Sequence, residues 1–321
     1  MGPHPAVAEV RRAVRAVLPA DGRRALVACS GGADSLALAA ATAFECRERA
    51  AGLVTVDHGL QPGSAEQAAA VAAIGYELGF DPVEIVTVSV GADGGPEAAA
   101  RSARYAALDA TATALDATVL LGHTLDDQAE TVLLGLGRGS GPRSIAGMRA
   151  VDGQYRRPFL GLRRATTRAA CDALGLTPWD DPHNADPSFQ RVRLRREVLP
   201  LLEDVLQGGV AEALARTAAL TQADLEALDA IAAGIVRESE ALDVTDLKDQ
   251  PQAIRTRVLR AWAHAAGTAP LTATHIAALD ALVTGWHGQG QVDLPGGFAV
   301  RRASGRLHLQ RMPRTRRSTE E

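Results

Sequence analysis

Short apolar runs alternate with longer amphipathic segments between residues 25 and 137. Four of the apolar runs have the length and composition of buried strands: Ala25–Cys29, Leu53–Val56, Val83–Val88 and Thr118–Leu121. Three segments between them have helical spacing: Leu36–Ala43, Ala65–Leu78 and Glu97–Leu115. This alternation predicts an α/β fold with a doubly wound, mostly parallel sheet that helices cover on both faces.

The rest of the chain divides into an irregular segment and a mainly helical one. Residues 138–200 are rich in Pro and Arg and show little periodicity. Helical spacing returns in three stretches: Val210–Arg237, Pro251–Ala266 and Thr272–Thr284. Residues 291–310 have the turn residues of a short β-meander. We therefore predict a first domain over 1–206, a smaller, mainly helical domain over 207–311 and a disordered tail over 312–321.

Composition fits a globular protein of two domains. The chain has 321 residues, and its hydrophobic fraction of 46% is enough to build a core. The three cysteines, Cys29, Cys46 and Cys171, are too widely spaced for a disulfide framework or a CxxC site. No apolar run has the length that crosses a bilayer, and no secretory signal pattern is present. We expect a cytoplasmic protein without a membrane partner.

The loop after the first predicted strand has the features of a phosphate site. Ligands of a doubly wound sheet bind beyond the carboxyl ends of its strands. The first strand ends in Ser30-Gly31-Gly32-Ala33-Asp34-Ser35, and a helix follows. Glycine lets the backbone approach an anion closely, and the N–H groups of the loop and helix start attract one. The sequence therefore predicts phosphate binding here, with two serine hydroxyls as further donors.

Two absences narrow the nucleotide chemistry. Lys248 is the only lysine, so the loop has no GxxxxGK[ST] motif, and no GxGxxG motif indicates a dinucleotide. Asp34 lies inside the anion site, where it repels phosphate unless a cation bridges the two groups. A Mg²⁺ ion held by carboxylate and phosphate oxygens resolves this conflict.

Ser30–Ser35 resembles the pyrophosphate loop of the N-type ATP pyrophosphatases, which cleave ATP to AMP and pyrophosphate. Four further segments resemble, in order, the motifs of the tRNA(Ile)-lysidine synthetases: Val56–Leu60, Ala100–Tyr105, Gly122–Thr131 and Asp181–Arg191. The resemblance covers roughly residues 22–205. Two positions depart from the family pattern: Thr124, where a second histidine is frequent, and Val192, where asparagine is frequent.

The resemblance implies the fold of the adenine nucleotide alpha hydrolases and an ATP-dependent ligase that modifies tRNA(Ile) with a CAU anticodon. In that family ATP adenylates the C2 carbonyl oxygen of the wobble cytidine. The amine of free L-lysine then displaces AMP, and the product, lysidine, changes decoding from AUG to AUA. ATP, Mg²⁺, free L-lysine and this tRNA are the implied partners, whereas the oligomeric state stays open.

Site residues follow from the motifs and from the demands of this reaction. We expect catalytic roles for His123, Asp126 and Asp127, and Mg²⁺ ligation by Asp34 and Asp127. Histidine suits proton transfer because its free side chain titrates near neutrality. Lysine needs a carboxylate for its α-ammonium group, and Glu130 is the candidate. ATP binding is expected to extend from the phosphate loop to four further residues: Val56, Asp57, His58 and Gly122.

Arginines are the candidates for RNA and phosphate contacts. The net charge of −4 combines unlike segments, because residues 138–200 carry 12 arginines and 6 acidic residues, and residues 301–321 carry 7 and 2. RNA binding needs a local basic surface, not a basic whole. Nucleotide or tRNA contacts are expected from eight arginines: Arg101, Arg104, Arg156, Arg157, Arg163, Arg164, Arg191 and Arg195.

Three other functions fit the sequence less well. A tRNA thiolase needs reactive cysteines, whereas Cys29 lies in a predicted buried strand and the other two have no nearby thiol partner. GMP synthetase or asparagine synthetase needs a glutaminase domain or another long extension. A nucleotide-sensing module would bind ATP without turnover, but this function leaves the Asp126-Asp127 pair unexplained.

Overall fold

A computed structural model describes residues 2–18, 21–59, 61, 63–91, 95–139, 141–181, 186–235 and 241–312. The chain divides into two compact units, residues 1–219 and 220–321. The domain boundary placed at residue 206 from the sequence stays a prediction. The tail predicted over 312–321 lies outside the described residues, except for Met312.

The first unit contains a six-stranded sheet in the order β3-β2-β1-β4-β6-β5. Its strands are β1 (Arg24–Ala28), β2 (Ala51–Asp57), β3 (Val83–Thr87), β4 (Ala117–Leu121), β5 (Val151–Asp152) and β6 (Tyr155–Arg156). All neighbouring pairs are parallel except β5 and β6. The four predicted strands are confirmed, and the two short strands at the edge were not predicted.

Helices cover both faces of this sheet, as predicted. They are α1 (Pro5–Arg15), α2 (Ala33–Glu45), α3 (Ser64–Glu77), α4 (Pro96–Ala114), α5 (Leu125–Arg138), α6 (Pro142–Ile145), α7 (Arg164–Leu174), α8 (Gln190–Arg193) and α9 (Leu199–Val205). A π-helical turn, Leu194–Val198, joins the last two. Successive strand residues point to opposite faces. Ala25 and Val27 thus pack in one core with α1, α2 and α7, while Leu26 and Ala28 pack in another with α4.

The order of the strands defines where a ligand binds. Strand β1 pairs with β2 on one side and with β4 on the other, so the order in which strands are added to the sheet reverses between β1 and β4. In open α/β sheets such a switch point forms a crevice at the carboxyl ends of the strands. Gly122 follows β4 there, and a Cβ at this position would lie 3.0 Å from the Asp34 backbone oxygen. The two loops are therefore in close contact.

The second unit combines helices with a small antiparallel sheet in the order β7-β10-β9-β8. Helix α10 (Val210–Ile235) contains the division between the units. The elements that follow are β7 (Ala241–Asp243), α11 (Val244–Lys248), α12 (Gln252–Ala265), α13 (Ala273–Thr284), β8 (Val292–Leu294), β9 (Phe298–Ala303) and β10 (Arg306–Arg311). The predicted meander is confirmed, and β7 adds a fourth strand. Among the described residues, no helix has both the length and the apolar character needed to cross a membrane.

Candidate active site

The phosphate loop closes on itself through Ser35. The Ser35 hydroxyl accepts a hydrogen bond from the Ser30 N–H at 3.2 Å and donates one to the Gly32 carbonyl at 2.9 Å. Gly31 has a φ of +86°, and a Cβ there would lie 2.5 Å from the side-chain nitrogen, Nε2, of Gln67. Glycine is therefore required at this turn. Helix α2 begins at Ala33, within this segment, so its free N–H groups add to the anion site.

Two cavities meet at this loop. One has a volume of about 440 Å³ and is lined by Asp34, Gly122, His123 and Asp127 together with the loop itself. The other has a volume of about 320 Å³ and lies along the end of β2. Its lining includes three residues predicted to bind ATP: Val56, Asp57 and His58. The phosphate loop and these three residues are thus brought together, as the sequence indicated.

Arg104 and Trp179 line both cavities. Arg104 has no hydrogen bond or ion pair within the described part of the chain, and burial lowers the pKa of its guanidinium. The chemistry of an unpaired arginine between two cavities is suited to an anion. The Trp179 backbone N–H donates a hydrogen bond to the Gly31 carbonyl at 2.9 Å, which holds this segment beside the loop. Trp179 received no role from the sequence, because a single tryptophan in an irregular segment carries no positional signal.

Asp34 and Asp127 converge on one cation, the guanidinium of Arg164. The Arg164 Nε lies 3.3 Å from Asp34 Oδ2, and its Nη2 lies 2.6 Å from Asp127 Oδ1. The Thr167 hydroxyl donates a short hydrogen bond to Asp34. Burial raises the pKa of Asp34, against the opposing effects of Thr167 and Arg164. Burial also disfavours the Asp127 carboxylate, but Arg164 and the Thr124 N–H prevail and lower its pKa.

The same two carboxylates fit a Mg²⁺ ion. Their oxygens are the hard donors that Mg²⁺ prefers, and they already lie against a single positive group. No cluster of three or more His, Cys, Asp or Glu side chains suited to a metal occurs in the described ranges. The remaining ligands of such an ion would therefore be phosphate oxygens and water, as is usual for Mg²⁺ bound with a nucleotide.

Thr124 and Val192, the two departures from the family pattern, have structural roles. Thr124 is buried and caps helix α5, since its hydroxyl and N–H contact Asp127 in a capping box. Val192 is buried, with 6% of its surface exposed, so it contributes to the core and not to a polar contact.

Asp126 faces away from the pair that holds Arg164. Its carboxylate accepts a hydrogen bond from the Arg164 backbone N–H at 2.7 Å and lies 3.4 Å from the Arg163 guanidinium. An acidic side chain at this place satisfies the start of helix α7. The contacts of Asp126 therefore orient α7, and with it Arg164. Its predicted catalytic role stays a prediction.

Glu130 is fully buried and already has a cationic partner. Arg195 donates hydrogen bonds to both of its carboxylate oxygens, at 2.7 and 3.2 Å, and Arg164 lies 3.7 Å away. A third cavity of about 140 Å³ adjoins this pair. Its lining includes Asp126, Glu130, Arg163 and Arg195. Lysine binding by Glu130 stays a prediction, and any ammonium group that reaches Glu130 must compete with Arg195.

His123 lies in a different environment from the one expected of a neutral-pH base. Burial lowers its pKa to about 3, although the nearby Asp127 opposes this shift. Arg104, Arg157 and Arg101 lower it further. Its Nδ1 atom is buried and has no hydrogen-bond partner among the described residues. The imidazole is therefore neutral at physiological pH and offers an unused polar atom beside the 440 Å³ cavity.

The remaining predicted arginines lie in different environments. Arg101 is exposed and lies over the Tyr105 ring at 4.9 Å, while Arg191 lies on α8 and lines neither large cavity. Arg157 is buried and donates to the Arg149 carbonyl at 2.7 Å. Arg163 pairs with Asp126 and Glu212.

The basic surface expected over residues 156–164 is therefore not exposed as a whole. Arg157, Arg163 and Arg164 are engaged within the first unit, and Arg156 is half-buried and donates to the Gly153 carbonyl. The charge count identified an arginine-rich segment, but it did not show that nearby carboxylates and carbonyls bind these arginines. Arg168 and Arg196, which the sequence did not single out, line the 440 Å³ cavity and are exposed.

The fold and the site together define a PP-loop protein, and the PP-loop domain family matches residues 6–202. The TilS substrate binding domain family matches residues 242–308. The chain is 58% identical to the tRNA(Ile)-lysidine synthase of Thermobifida fusca, over 95% of this chain and 98% of the relative. It is 52% identical to the tRNA(Ile)-lysidine synthase of Streptomyces coelicolor, over 97% and 99%. The chain belongs to the tRNA(Ile)-lysidine synthase family.

A solved structure is similar to this chain in fold. A U34-tRNA thiolase from Methanococcus maripaludis superposes with a TM-score of 0.57 at 18% identity, over 68% of this chain and 80% of that chain. At this identity the likeness shows a shared fold and not a shared reaction.

Proposed function

We propose that this protein joins free L-lysine to C2 of the wobble cytidine of tRNA(Ile) with a CAU anticodon, at the expense of ATP. The observation that carries the proposal is one cavity of about 440 Å³ that contains the phosphate loop, His123 and Asp127 at the ends of neighbouring strands. Relatives named tRNA(Ile)-lysidine synthase match this chain over nearly its whole length.

ATP fits the two joined cavities. The 320 Å³ cavity has apolar walls from β2 and α4, including Val54, Val56 and Leu108, and suits a purine and ribose. The loop side of the 440 Å³ cavity suits the phosphates, because N–H groups, hydroxyls and Arg104 surround it. Mg²⁺ held by Asp34 and Asp127 would neutralise phosphate charge when bound. These contacts support ATP as the nucleotide substrate.

The reaction needs two displacements at one place. The O2 atom of the cytidine attacks the α-phosphorus of ATP, and pyrophosphate leaves. An amine of lysine then attacks C2, and the C2–O bond to AMP breaks. A neutral His123 suits hydrogen bonding to the reacting oxygen or amine, since its buried Nδ1 is free of other partners within the described ranges. Arg168 and Arg196, which line the same cavity, are placed to stabilise negative charge on phosphate.

Lysine fits the 140 Å³ cavity that adjoins Glu130. Free lysine carries both ammonium and carboxylate groups, so its pocket needs charges of both signs. The lining supplies carboxylates from Asp126, Glu130 and Glu203, and guanidinium groups from Arg163 and Arg195. This cavity shares Arg164 and Arg195 with the 440 Å³ cavity, which supports delivery of the amine to the adenylated base.

Transfer RNA contacts are proposed on both units. In the first unit, the exposed arginines beside the site supply positive charge for the anticodon loop. In the second unit, the match to a substrate binding domain over residues 242–308 supports a part in tRNA binding. Its sheet presents Arg301 and Arg306 on exposed positions of β9 and β10.

The test is to incubate the protein with ATP, radiolabelled lysine and tRNA(Ile) bearing the CAU anticodon. The proposal expects label in the RNA and release of AMP and pyrophosphate. Methionine tRNA, which shares this anticodon, is the specificity control and should take up much less label. Pyrophosphate release with no label in RNA would overturn the lysine assignment, and nucleotide binding with no turnover would favour the sensing module.

A further inference from the structure

Arg164 occupies the place between the two carboxylates that the proposed function gives to a metal ion. Its Nε and Nη2 atoms contact Asp34 at 3.3 Å and Asp127 at 2.6 Å. Asp34 and Asp127 lie in the first turns of helices α2 and α5, which follow β1 and β4, whereas Arg164 begins helix α7. The three side chains are largely buried, with exposed fractions of 24%, 14% and 26% for Asp34, Asp127 and Arg164.

Two carboxylates held this close need a cation. Like charges in a partly buried site repel each other. Arg164 supplies the positive charge that offsets this repulsion from within the chain. A divalent ion at the same place would have to displace the guanidinium, because both would bind the same carboxylate oxygens.

The backbone of Arg164 is held by a hydrogen bond, while its side chain also borders a cavity. Asp126 accepts a hydrogen bond from the Arg164 N–H at 2.7 Å. This contact anchors the start of α7. The guanidinium also lines the 440 Å³ cavity, where the phosphates are proposed to bind. A guanidinium released from the carboxylates would pair with the phosphate oxygens proposed to bind in that cavity.

We infer that Arg164 is a positioning residue that acts as an internal counter-ion. It holds Asp34 and Asp127 in place in the nucleotide-free protein, and it competes with a divalent cation for them. When the nucleotide enters with its metal, the Arg164 guanidinium leaves the carboxylates and pairs with the phosphates. This inference rests on the proposed metal site, and it adds that the protein alone binds the metal weakly.

The inference predicts a gain of metal affinity when the guanidinium is removed. The experiment measures Mn²⁺ binding to the full chain by electron paramagnetic resonance, without nucleotide and then with ATP. Arg164→Gln removes the charge at similar length, and Arg164→Lys keeps a charge with weaker bidentate contact. The matched control is Arg193→Gln, because Arg193 pairs with Glu197 on the surface, with 61% of its side chain exposed. Circular dichroism checks the fold of each variant.

Without nucleotide, Arg164→Gln should bind Mn²⁺ on the order of ten-fold more tightly than the unaltered protein. Arg164→Lys should fall between the two, and Arg193→Gln should match the unaltered protein. With ATP present, Arg164→Gln should lose nucleotide affinity, because its phosphate partner is missing. Equal or weaker Mn²⁺ binding by both folded Arg164 variants would overturn the inference.

Asp34→Asn separates this inference from the proposed function. If Asp34→Asn leaves Mn²⁺ binding in the presence of ATP unchanged, the proposed metal site fails, and the counter-ion role fails with it. If Asp34→Asn abolishes that binding while the Arg164 variants gain no affinity, the metal site stands and only the counter-ion role fails. If Arg164→Gln does not fold, the result with Arg164→Lys decides between these outcomes.

Discussion

Both carboxylate oxygens of Glu130 accept hydrogen bonds from Arg195, so a fully buried acid is paired before any substrate arrives. The lysine ammonium proposed to bind Glu130 must therefore exchange with a guanidinium. A buried pair of this kind is costly to break on one side only, by about 3–5 kcal/mol when fully buried. In the proposed exchange lysine would replace one cation with another, so the carboxylate would keep a charged partner.

Glu130→Gln should weaken lysine binding much more than ATP binding. The neutral amide cannot pair with an ammonium group, so the KM for lysine should rise on the order of ten-fold or more, and the KM for ATP should change little. Initial rates of lysine incorporation at varied lysine and varied ATP give both constants. Glu197→Gln, which alters an exposed acid paired with Arg193, is the control. An unchanged KM for lysine would remove Glu130 from the lysine pocket.

Asp127→Asn should abolish lysine transfer while the chain stays folded. The amide oxygen can still accept the hydrogen bond from the Thr124 N–H, now 2.8 Å, but the charge that faces Arg164 and the proposed metal is lost. Transfer assays and circular dichroism on the same preparation measure both effects. Asp172→Asn, an exposed acid on α7, is the matched control. Full activity in Asp127→Asn would exclude Asp127 from the site.

His123 should make the stability of the protein depend on pH. Its pKa is about 3 in the folded chain, against about 6.5 unfolded. Below pH 6.5 the unfolded chain therefore takes up a proton that the folded chain does not, and stability falls as pH falls. Between pH 6.5 and 5 the loss should be about 2 kcal/mol from this group.

Urea unfolding of the full chain at pH 7, 6 and 5 tests this expectation. His123→Gln removes the titrating group, so its free energy of unfolding should fall less over the same range. Asp127 does not affect this comparison, because its pKa is lowered from an unfolded value of about 3.9 and its stabilisation is lost only below that pH. Identical pH dependence in the two proteins would show that His123 does not lie in a buried, neutral form.

Trp179 should report on nucleotide binding. Its indole lies between the two cavities, and aromatic side chains there stack on bases at about 1–3 kcal/mol per base. ATP should change the tryptophan emission of the unaltered protein but not that of Trp179→Phe, while Trp286→Phe serves as the control because Trp286 lies in the second unit. Trp179→Ala should weaken ATP binding, and Trp179→Phe should retain it. Equal ATP affinity in the unaltered protein, Trp179→Phe and Trp179→Ala would place Trp179 outside the nucleotide site.

The sequence predicted the elements whose signal is local. Strands β1, β2 and β4 are continuous apolar runs, as buried parallel strands require, and the phosphate loop follows directly from the first. Helix α7 was missed because its buried face consists of small residues, Thr167, Ala170 and Cys171, in an arginine-rich segment. Such a face gives little apolar periodicity.

The partners within the site were not predictable in the same way. Arg164 and Asp34 are 130 residues apart in the chain, and only the packing of α7 against α2 brings them together. The pKa of His123 likewise depends on burial and on arginines from other segments, so its residue type alone suggested the wrong protonation behaviour. The motifs located the reacting groups, and the fold determined their charge partners.

The most direct test of lysine transfer is the identity of the modified nucleoside. The protein is incubated with ATP, lysine and tRNA(Ile) bearing the CAU anticodon, and the digested RNA is examined by mass spectrometry. We expect the wobble cytidine to gain one lysine less one water, only when ATP is present and not with Asp127→Asn. An unmodified wobble cytidine, or a gain of mass at this position that does not contain lysine, would contradict lysine transfer by this protein.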